Sequence, residues 1–271
     1  MPTARIAILG GGNLGLALAR GWVRAGRFTA SHVHVTRRQT SRLAALAAEG
    51  FTVGASSADA VREAELVVLA VQPQQLDALF AEIAPVIDAR RHRVISVVSG
   101  ASIADIRRAL GTDVDVVRAM PNTAVVIGES MTCLAGDERD GGALEEARAL
   151  FDLVGRTLVI AEDMIVPATA LCACGIAFFL RVIRAAMQGG IEIGFHPEDA
   201  ALLAAQTARG AAALSLQEGA HPEREIDRVT TPRGCTIAGL NEMEHQGLSS
   251  AMIKGITVSA RAAAGLYDGA A

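Results

Sequence analysis

"ILGGGNLGLALARGW", residues 8–22, passes from an apolar run through a glycine cluster into residues at helical spacing. Gly10, Gly12 and Gly15 stand in the pattern G-x-G-x-x-G. Gly10 permits a tight turn out of a strand. Gly12 lets a diphosphate approach the backbone, and Gly15 lets the following helix pack closely on the strand. The free N–H groups of the helix start, from Gly12 through Asn13, Leu14 and Gly15, then face the diphosphate. The pattern by itself is weak. It gains weight here because a strand pattern, "ARIAILG" (4–10), precedes it, a helical stretch (13–25) follows, and a second strand pattern, "HVHVT" (32–36), ends at the expected distance.

The end of that second strand selects the cofactor. An NAD site places Asp or Glu there to hold the ribose hydroxyls. This chain places Thr36, Arg37 and Arg38 instead. Two guanidiniums suit a 2′-phosphate, which they grip bidentately. NADP is therefore expected, with NAD as the weaker alternative. The bland reading leaves both arginines merely solvated.

Outward from this core, "ELVVLAV" (65–71), "RVISVVS" (93–99) and "DVVRAM" (115–120) repeat the strand pattern, and helical stretches such as 41–49 separate the strands. "TCLAG" (132–136) and "TLVI" (157–160) read as added edge strands. Continuous apolar strands alternating with helices predict a parallel sheet covered on both faces. Ligands of such sheets lie beyond the carboxyl ends of the strands. That places Val71, Gln72 and Pro73 along the cofactor groove. It places Met120, Pro121 and Asn122 by the nicotinamide, unless the Met-Pro pair is only a tight turn.

Near Glu162 the β-branched runs give way to Ala/Leu-rich periodic segments. Helices are predicted over 164–188, 197–218, 222–229, 235–246 and 249–266. Pro197 and Pro222 sit at first helical positions, with acids just after them. Gly189-Gly190, Gly219 and Gly247 sit at expected helix ends. The first of these helices is apolar on nearly every face and must be buried. The helical half is too small to bury it, which points to a subunit interface. The expected division is 1–161 and 162–271.

The bulk properties exclude several classes. A net charge of −4 gives no electrostatic case for nucleic acid or an anionic membrane. The longest apolar run, 168–180, falls short of the roughly 20 residues that span a bilayer. The start of the chain lacks the features of a signal peptide. Cys133, Cys172, Cys174 and Cys235 form no disulfide framework, and the C-x-C pair has no partner pair or nearby histidine, so no metal is expected. His196 and His245 read as helix-terminal residues. A cytoplasmic protein is the expectation.

One polar turn remains. "VTTPRGCTIAGL" (229–240) runs from two threonines through Gly234 into a helix. It reads equally as an anion site at a helix start or as a simple cap in which Thr231 or Thr236 satisfies backbone donors.

Taken together, Gly10 to Gly15, "VQPQ" (71–74), "MPNT" (120–123), "EDMIVPATAL" (162–171) and "TTPRGCTIAGL" (230–240) resemble, in order and spacing, the pyrroline-5-carboxylate reductases, which perform the last step of proline synthesis. The resemblance covers essentially the whole chain. It implies an α/β Rossmann domain followed by an all-α dimerisation domain, in homodimers that interlock through the helices and often assemble further. It implies an active site between a Rossmann domain and helices of the dimer partner, NADPH or NADH as hydride donor, and a cyclic imine bearing a carboxylate as substrate. The carboxylate-binding turn of the family falls on Thr231, Gly234, Cys235 and Thr236. Its threonine near the imine nitrogen falls on Thr169.

This chain also departs from the family pattern. Arg233 stands where a glycine is usual, Gln72 where many members have lysine, and Cys172 to Phe178 read Cys-Ala-Cys-Gly-Ile-Ala-Phe in place of Ser-Gly-Ser-Gly-Pro-Ala-Tyr. A reductase of a related, six-membered imine and a non-catalytic NADP-sensing relative are the alternatives. Hydroxyacid dehydrogenases, by resemblance, use a lysine early in the second domain. The only lysine here is Lys254.

Overall fold

A computed structural model describes residues 5–265 and divides into two compact units. Among the described residues the first takes in 5–174 and 259–265, and the second is Gly175–Val258.

The first unit is built on eight strands: β1 (Ile6–Leu9), β2 (Val33–Thr36), β3 (Thr52–Gly54), β4 (Leu66–Leu69), β5 (Arg93–Ser96), β6 (Asp115–Met120), β7 (Ser130–Gly136) and β8 (Gly155–Val159). Their order is β3-β2-β1-β4-β5-β6-β7-β8. The first six are parallel, in the order of a doubly wound dinucleotide-binding sheet. The two strands expected as additions join this parallel sheet: β7 runs antiparallel to β6, and β8 is parallel to β7. The link from β6 to β7 is a short 3-10 turn, Thr123–Ile127. It holds no crossover helix, so the chain doubles back. Nor is β7 an edge: the edges are β8 and β3. The sequence reading overlooked β3 because three residues carry no periodicity.

Helices cover both faces. They are α1 (Asn13–Arg24), α2 (Ala44–Ala48), α3 (Ser57–Glu63), α4 (Leu76–Ile83), α5 (Ile103–Leu110), α6 (Gly141–Phe151) and the short α7 (Ile165–Ala168). Alternate strand residues point to opposite faces. Ile6, Ile8, Val33, Val35 and Val68 join Leu18 and Trp22 of α1 and Phe151 of α6 in one cluster. Ala7, Leu9, Val67 and Leu69 join Leu76 and Phe80 of α4 and Ile106 of α5 in the other. Each fully buried side chain of this size stabilises by about 1.5–3 kcal/mol. Trp22 is fully buried, stacks edge-on against Phe151, and donates its indole N–H to the Leu150 carbonyl at 2.9 Å. That bond seats α1, and hence the glycine turn before it.

The second unit is helical: α8 (Gly175–Glu192), α9 (Pro197–Ser215), α10 (Pro222–Val229), α11 (Cys235–His245) and most of α12 (Leu248–Ala264). Pro197 and Pro222 occupy first-turn positions, as their sequence context predicts. His196 is the N-cap residue of α9, and His245 closes α11. Gly189-Gly190 does not end a helix. A Cβ on Gly190 would lie 3.1 Å from Ala200 Cβ, so this glycine lets α8 and α9 approach, and the turn falls at Gly194, with φ of 108°. Gly247 does follow a helix end in the left-handed region, with φ of 81°. The helical stretch containing α7 and α8 is also longer than its apolar run suggests. Residues 162–192 are long and apolar enough, by length and composition, to cross a bilayer.

Candidate active site

Gly10 leaves β1 with φ of 123°, a conformation that disfavours any side chain. A Cβ there would meet the Ala70 carbonyl oxygen at 2.3 Å. The N–H groups of Gly10 and Gly11 both donate to the Thr36 carbonyl, at 3.2 and 2.8 Å, which ties the turn to the end of β2. Gly15, one turn into α1, is fixed by backbone crowding: its Cβ would lie 2.1 Å from the Gly10 oxygen. Gly12 differs. Among the described residues nothing lies within 4 Å of a Cβ placed there, and no side chain caps the helix it opens. The turn therefore presents unpaired helix-start N–H groups to open space, as a diphosphate requires.

That space is a cavity of about 700 Å³ beyond the carboxyl ends of β1, β2 and β4. Gly10, Gly12, Thr36, Arg37, Arg38, Val71 and Gln72 line it, so it gathers seven of the residues singled out from the sequence. Arg37 is half-buried and donates from Nη1 to the Gly11 carbonyl at 2.6 Å. Its guanidinium thus braces the glycine turn while keeping other donors free. Arg38 is exposed at the rim. Pro73 begins the 3-10 turn Pro73–Gln75, whose start is closed by Gln72 and Gln75.

Other expected residues fall elsewhere. Asn13 and Leu14 line a second groove of about 420 Å³, together with Thr123. Met120 is buried with Cys133, Ile165 and Ala168 in a small cluster at the end of β6. Pro121 is buried, and Asn122 spends its side-chain oxygen on the Ala124 N–H at 3.0 Å, capping the turn to β7.

Two features escaped the sequence reading. Glu82 of α4 lines the large cavity and accepts the N–H groups of Ser57 and Ala58, at 2.5 and 3.2 Å, from across the groove. No motif signals it, because the contact joins two helices that only the fold brings together. The other is the buried Arg118 of β6. It donates to Glu162 Oε1 at 3.2 Å, and the same oxygen accepts the Ile103 N–H at 2.7 Å. Burial pulls the Arg118 guanidinium below its ordinary value, against the opposing pull of Glu162. This pair ties β6 and α5 to the start of the segment that carries Thr169.

Thr169 is buried and begins a π-helical turn, Thr169–Cys174. Its hydroxyl donates to the Ile165 carbonyl at 2.9 Å. With that proton committed, Oγ1 faces any further partner as an acceptor.

In the helical unit, the turn before α11 shows a different construction. Gly234 is the N-cap residue, its N–H donates to the Thr231 carbonyl at 2.9 Å, and no side chain of the described residues caps the helix. A Cβ on Gly234 would lie 2.4 Å from Thr231 Oγ1. Arg233 adopts φ of 59°, the left-handed conformation that a glycine takes readily. Cys235 and Thr236 supply the first N–H groups of the helix. Thr231 and Cys235 are exposed and Thr236 half-buried.

A family model described as pyrroline-5-carboxylate reductase dimerisation matches residues 162–266. One described as NADP oxidoreductase, coenzyme F420-dependent, matches residues 5–100. Pyrroline-5-carboxylate reductase 2 of Dictyostelium discoideum is 46% identical over 94% of this chain and 90% of its own length. The chain belongs to the pyrroline-5-carboxylate reductase family. Pyrroline-5-carboxylate reductase 1 of the same organism is 53% identical, and there the match covers 97% of this chain but 50% of the relative, so the chain spans about half that protein's length. Among solved structures, the pyrroline-5-carboxylate reductase of Coxiella burnetii aligns with a TM-score of 0.88 at 27% identity, covering 99% of this chain and 100% of its own. Within the reductase family the Rossmann sheet and the helical unit that follows it are thus both accounted for.

Proposed function

We propose that this protein reduces 1-pyrroline-5-carboxylate to L-proline with NADPH. The observation that carries the reading is the uncapped start of α1, opening on a cavity that Arg37 and Arg38 also line, in a chain of this family. The cavity fits a dinucleotide: the cradle at Gly12 is open to a diphosphate, while Gly10 and Gly15 are closed to any side chain. Gly10, Gly12, Asn13, Leu14 and Gly15 hold the diphosphate, Thr36, Arg37 and Arg38 the 2′-phosphate, Val71, Gln72 and Pro73 the groove wall, and Met120, Pro121 and Asn122 the nicotinamide end. Bound NADPH supplies a hydride to the imine carbon.

Thr231, Gly234, Cys235 and Thr236 hold the substrate carboxylate, and fixing one end of a small ring orients the other. Thr169 is the residue at the nitrogen. Because its hydroxyl proton is spent on Ile165, Oγ1 accepts a hydrogen bond from the protonated iminium N–H. It orients and retains that proton; it does not deliver one. Arg118, through Glu162, keeps this segment in place.

The helical domain, 162–271, serves as a homodimer interface. Phe179, Leu180, Ile193 and Leu202 are 57–77% exposed in the single chain, which suits a surface that a second copy covers. The apolar stretch 162–192 suits a protein interface better than a bilayer. Arg181 and Arg184 stand exposed near its middle, where each would cost about 2.5–3.5 kcal/mol in lipid. A soluble, cytoplasmic enzyme is the consistent reading.

The test is loss of NADPH absorbance with five- and six-membered cyclic imino acids. Turnover on the five-membered acid is expected. Turnover confined to the six-membered acid overturns the substrate, and NADPH binding without turnover on either overturns the activity. Thr169→Val should lower kcat about tenfold or more while leaving NADPH affinity unchanged.

A further inference from the structure

Cys172 lies in the π-helical turn that Thr169 opens, one turn beyond it. Cys133 lies on β7, paired across the ladder with Met120. Their sulfurs are 3.8 Å apart. Both belong to the small cluster that packs β6 and β7 against the Thr169 segment, with Cys133 buried and Cys172 partly exposed. Closing the gap to the roughly 2.05 Å of a disulfide takes less than 2 Å of movement. A π-helical turn can absorb a shift of that size by local rewinding.

We propose that Cys133 and Cys172 form a reversible disulfide that clamps the Thr169 turn to the sheet and switches the enzyme off under peroxide. The two thiols have complementary states. The two sulfurs share a weak hydrogen bond in which either can donate, and Cys172, the more exposed of the pair, is drawn down by it. Cys133 is pushed up by the same hydrogen bond and by burial. Cys172 is thus a partly exposed thiol with thiolate character beside a resolving partner, the arrangement that oxidises readily.

The chemistry balances. The Cys172 thiolate attacks a hydroperoxide, the O–O bond breaks, and Cys172 becomes a sulfenic acid as alkoxide or hydroxide departs and takes a proton from solvent. Cys133 sulfur then attacks Cys172 Sγ, the S–O bond breaks, and hydroxide leaves with the Cys133 proton as water. Two electrons pass from the sulfurs to the peroxide, and a dithiol reverses the step by exchange. The loss of turnover rests on the function proposed above; the disulfide itself does not.

The experiment treats the purified full chain with hydrogen peroxide and maps its peptides without reduction. The expected result is a Cys133–Cys172 cross-linked peptide, slower amide exchange over 165–175, and turnover lowered about tenfold or more by displacement of Thr169, all restored by dithiothreitol. Cys172→Ser, which puts back the hydroxyl common in the family, should keep its turnover under peroxide, and Cys133→Ala should leave Cys172 as a sulfenic acid. Absence of the cross-link overturns the proposal, as does equal loss of turnover in Cys172→Ser. If the chain reduces no imine at all, the functional reading fails alone, and the cross-link with the exchange rates still decides this one.

Discussion

The turn before α1 and the turn before α11 both offer uncapped helix-start N–H groups to an anion, but their glycines answer to different neighbours. Gly10 and Gly15 are held against backbone oxygens at the ends of buried strands, at 2.3 and 2.1 Å from where a Cβ would stand. Gly234 is held closest against a side-chain hydroxyl, at 2.4 Å, with the Thr231 carbonyl oxygen farther off at 3.0 Å, and the left-handed position beside it is filled by Arg233. Backbone in a packed core has nowhere to go. A threonine hydroxyl on an exposed turn rotates. The first turn is therefore constrained by the fold; the second is not, which suits the carboxylate-binding role proposed for it.

The largest effect that would test this contrast is at Gly15. Gly15→Ala must move the Gly10 carbonyl or the axis of α1, and should destabilise the protein by about 3 kcal/mol in chemical denaturation. Gly12→Ala should leave stability unchanged and weaken NADPH about tenfold, because its Cβ enters open space that the diphosphate needs. Equal stability losses at the two positions would erase the distinction between packing glycine and binding glycine.

This contrast also explains what was readable in the sequence. G-x-G-x-x-G after an apolar strand is legible because Gly10 and Gly15 admit no side chain against their backbone neighbours, and the alternation of strands and helices around it is legible in the apolar runs. Helix starts at Pro197 and Pro222 are legible for the same kind of reason, since proline fixes φ wherever it stands. Glu82 and Arg118 are not, because each matters through a partner distant in sequence. Gly189-Gly190 misled because a glycine pair looks alike whether it ends a helix or lets α9 approach. The reversal at β7 hinges on a link too short to cross over, a matter of length that carries no residue signature. The 229–240 turn read no better than evenly between cap and site until its likeness to a family was considered.

Next in size is the rim of the cofactor cavity. A hydrogen bond to a charged group contributes about 1.5–3 kcal/mol. Arg38→Ala should weaken NADPH about tenfold and leave NADH nearly untouched. Arg37→Ala should weaken NADPH further and impair NADH as well, because Arg37 also braces the Gly11 carbonyl. The difference between the cofactors should shrink as salt is raised. Equal losses for NADPH and NADH in the Arg38 variant would remove the 2′-phosphate from this rim. Smaller still is Gly234→Ala. Its closest clash is with a hydroxyl that can rotate and its backbone contact is the looser 3.0 Å to the Thr231 oxygen, so the stability loss should be well below that of Gly15→Ala while KM for the imine rises severalfold, and Thr231→Ala added to it should cost little more, since both act on one contact.

The smallest effect, and the finest test of the comparison, is at Arg233. A left-handed conformation costs an L-residue about 1–2 kcal/mol, and a glycine there would give back about 0.4–1 kcal/mol through the freedom of the unfolded chain. The first term equals or exceeds the second, by up to about 1.6 kcal/mol, so Arg233→Gly should raise the denaturation midpoint slightly. Arg233 is exposed and free of any recorded partner among the described residues, so little packing is lost. If the chain tolerates this strain for a purpose, the cation beside an uncapped helix start is that purpose, and the stabilised variant should bind the imino acid severalfold more weakly. A variant that is more stable with KM unchanged would show the strain to be incidental, and the second turn would then be built by its hydroxyls and N–H groups alone.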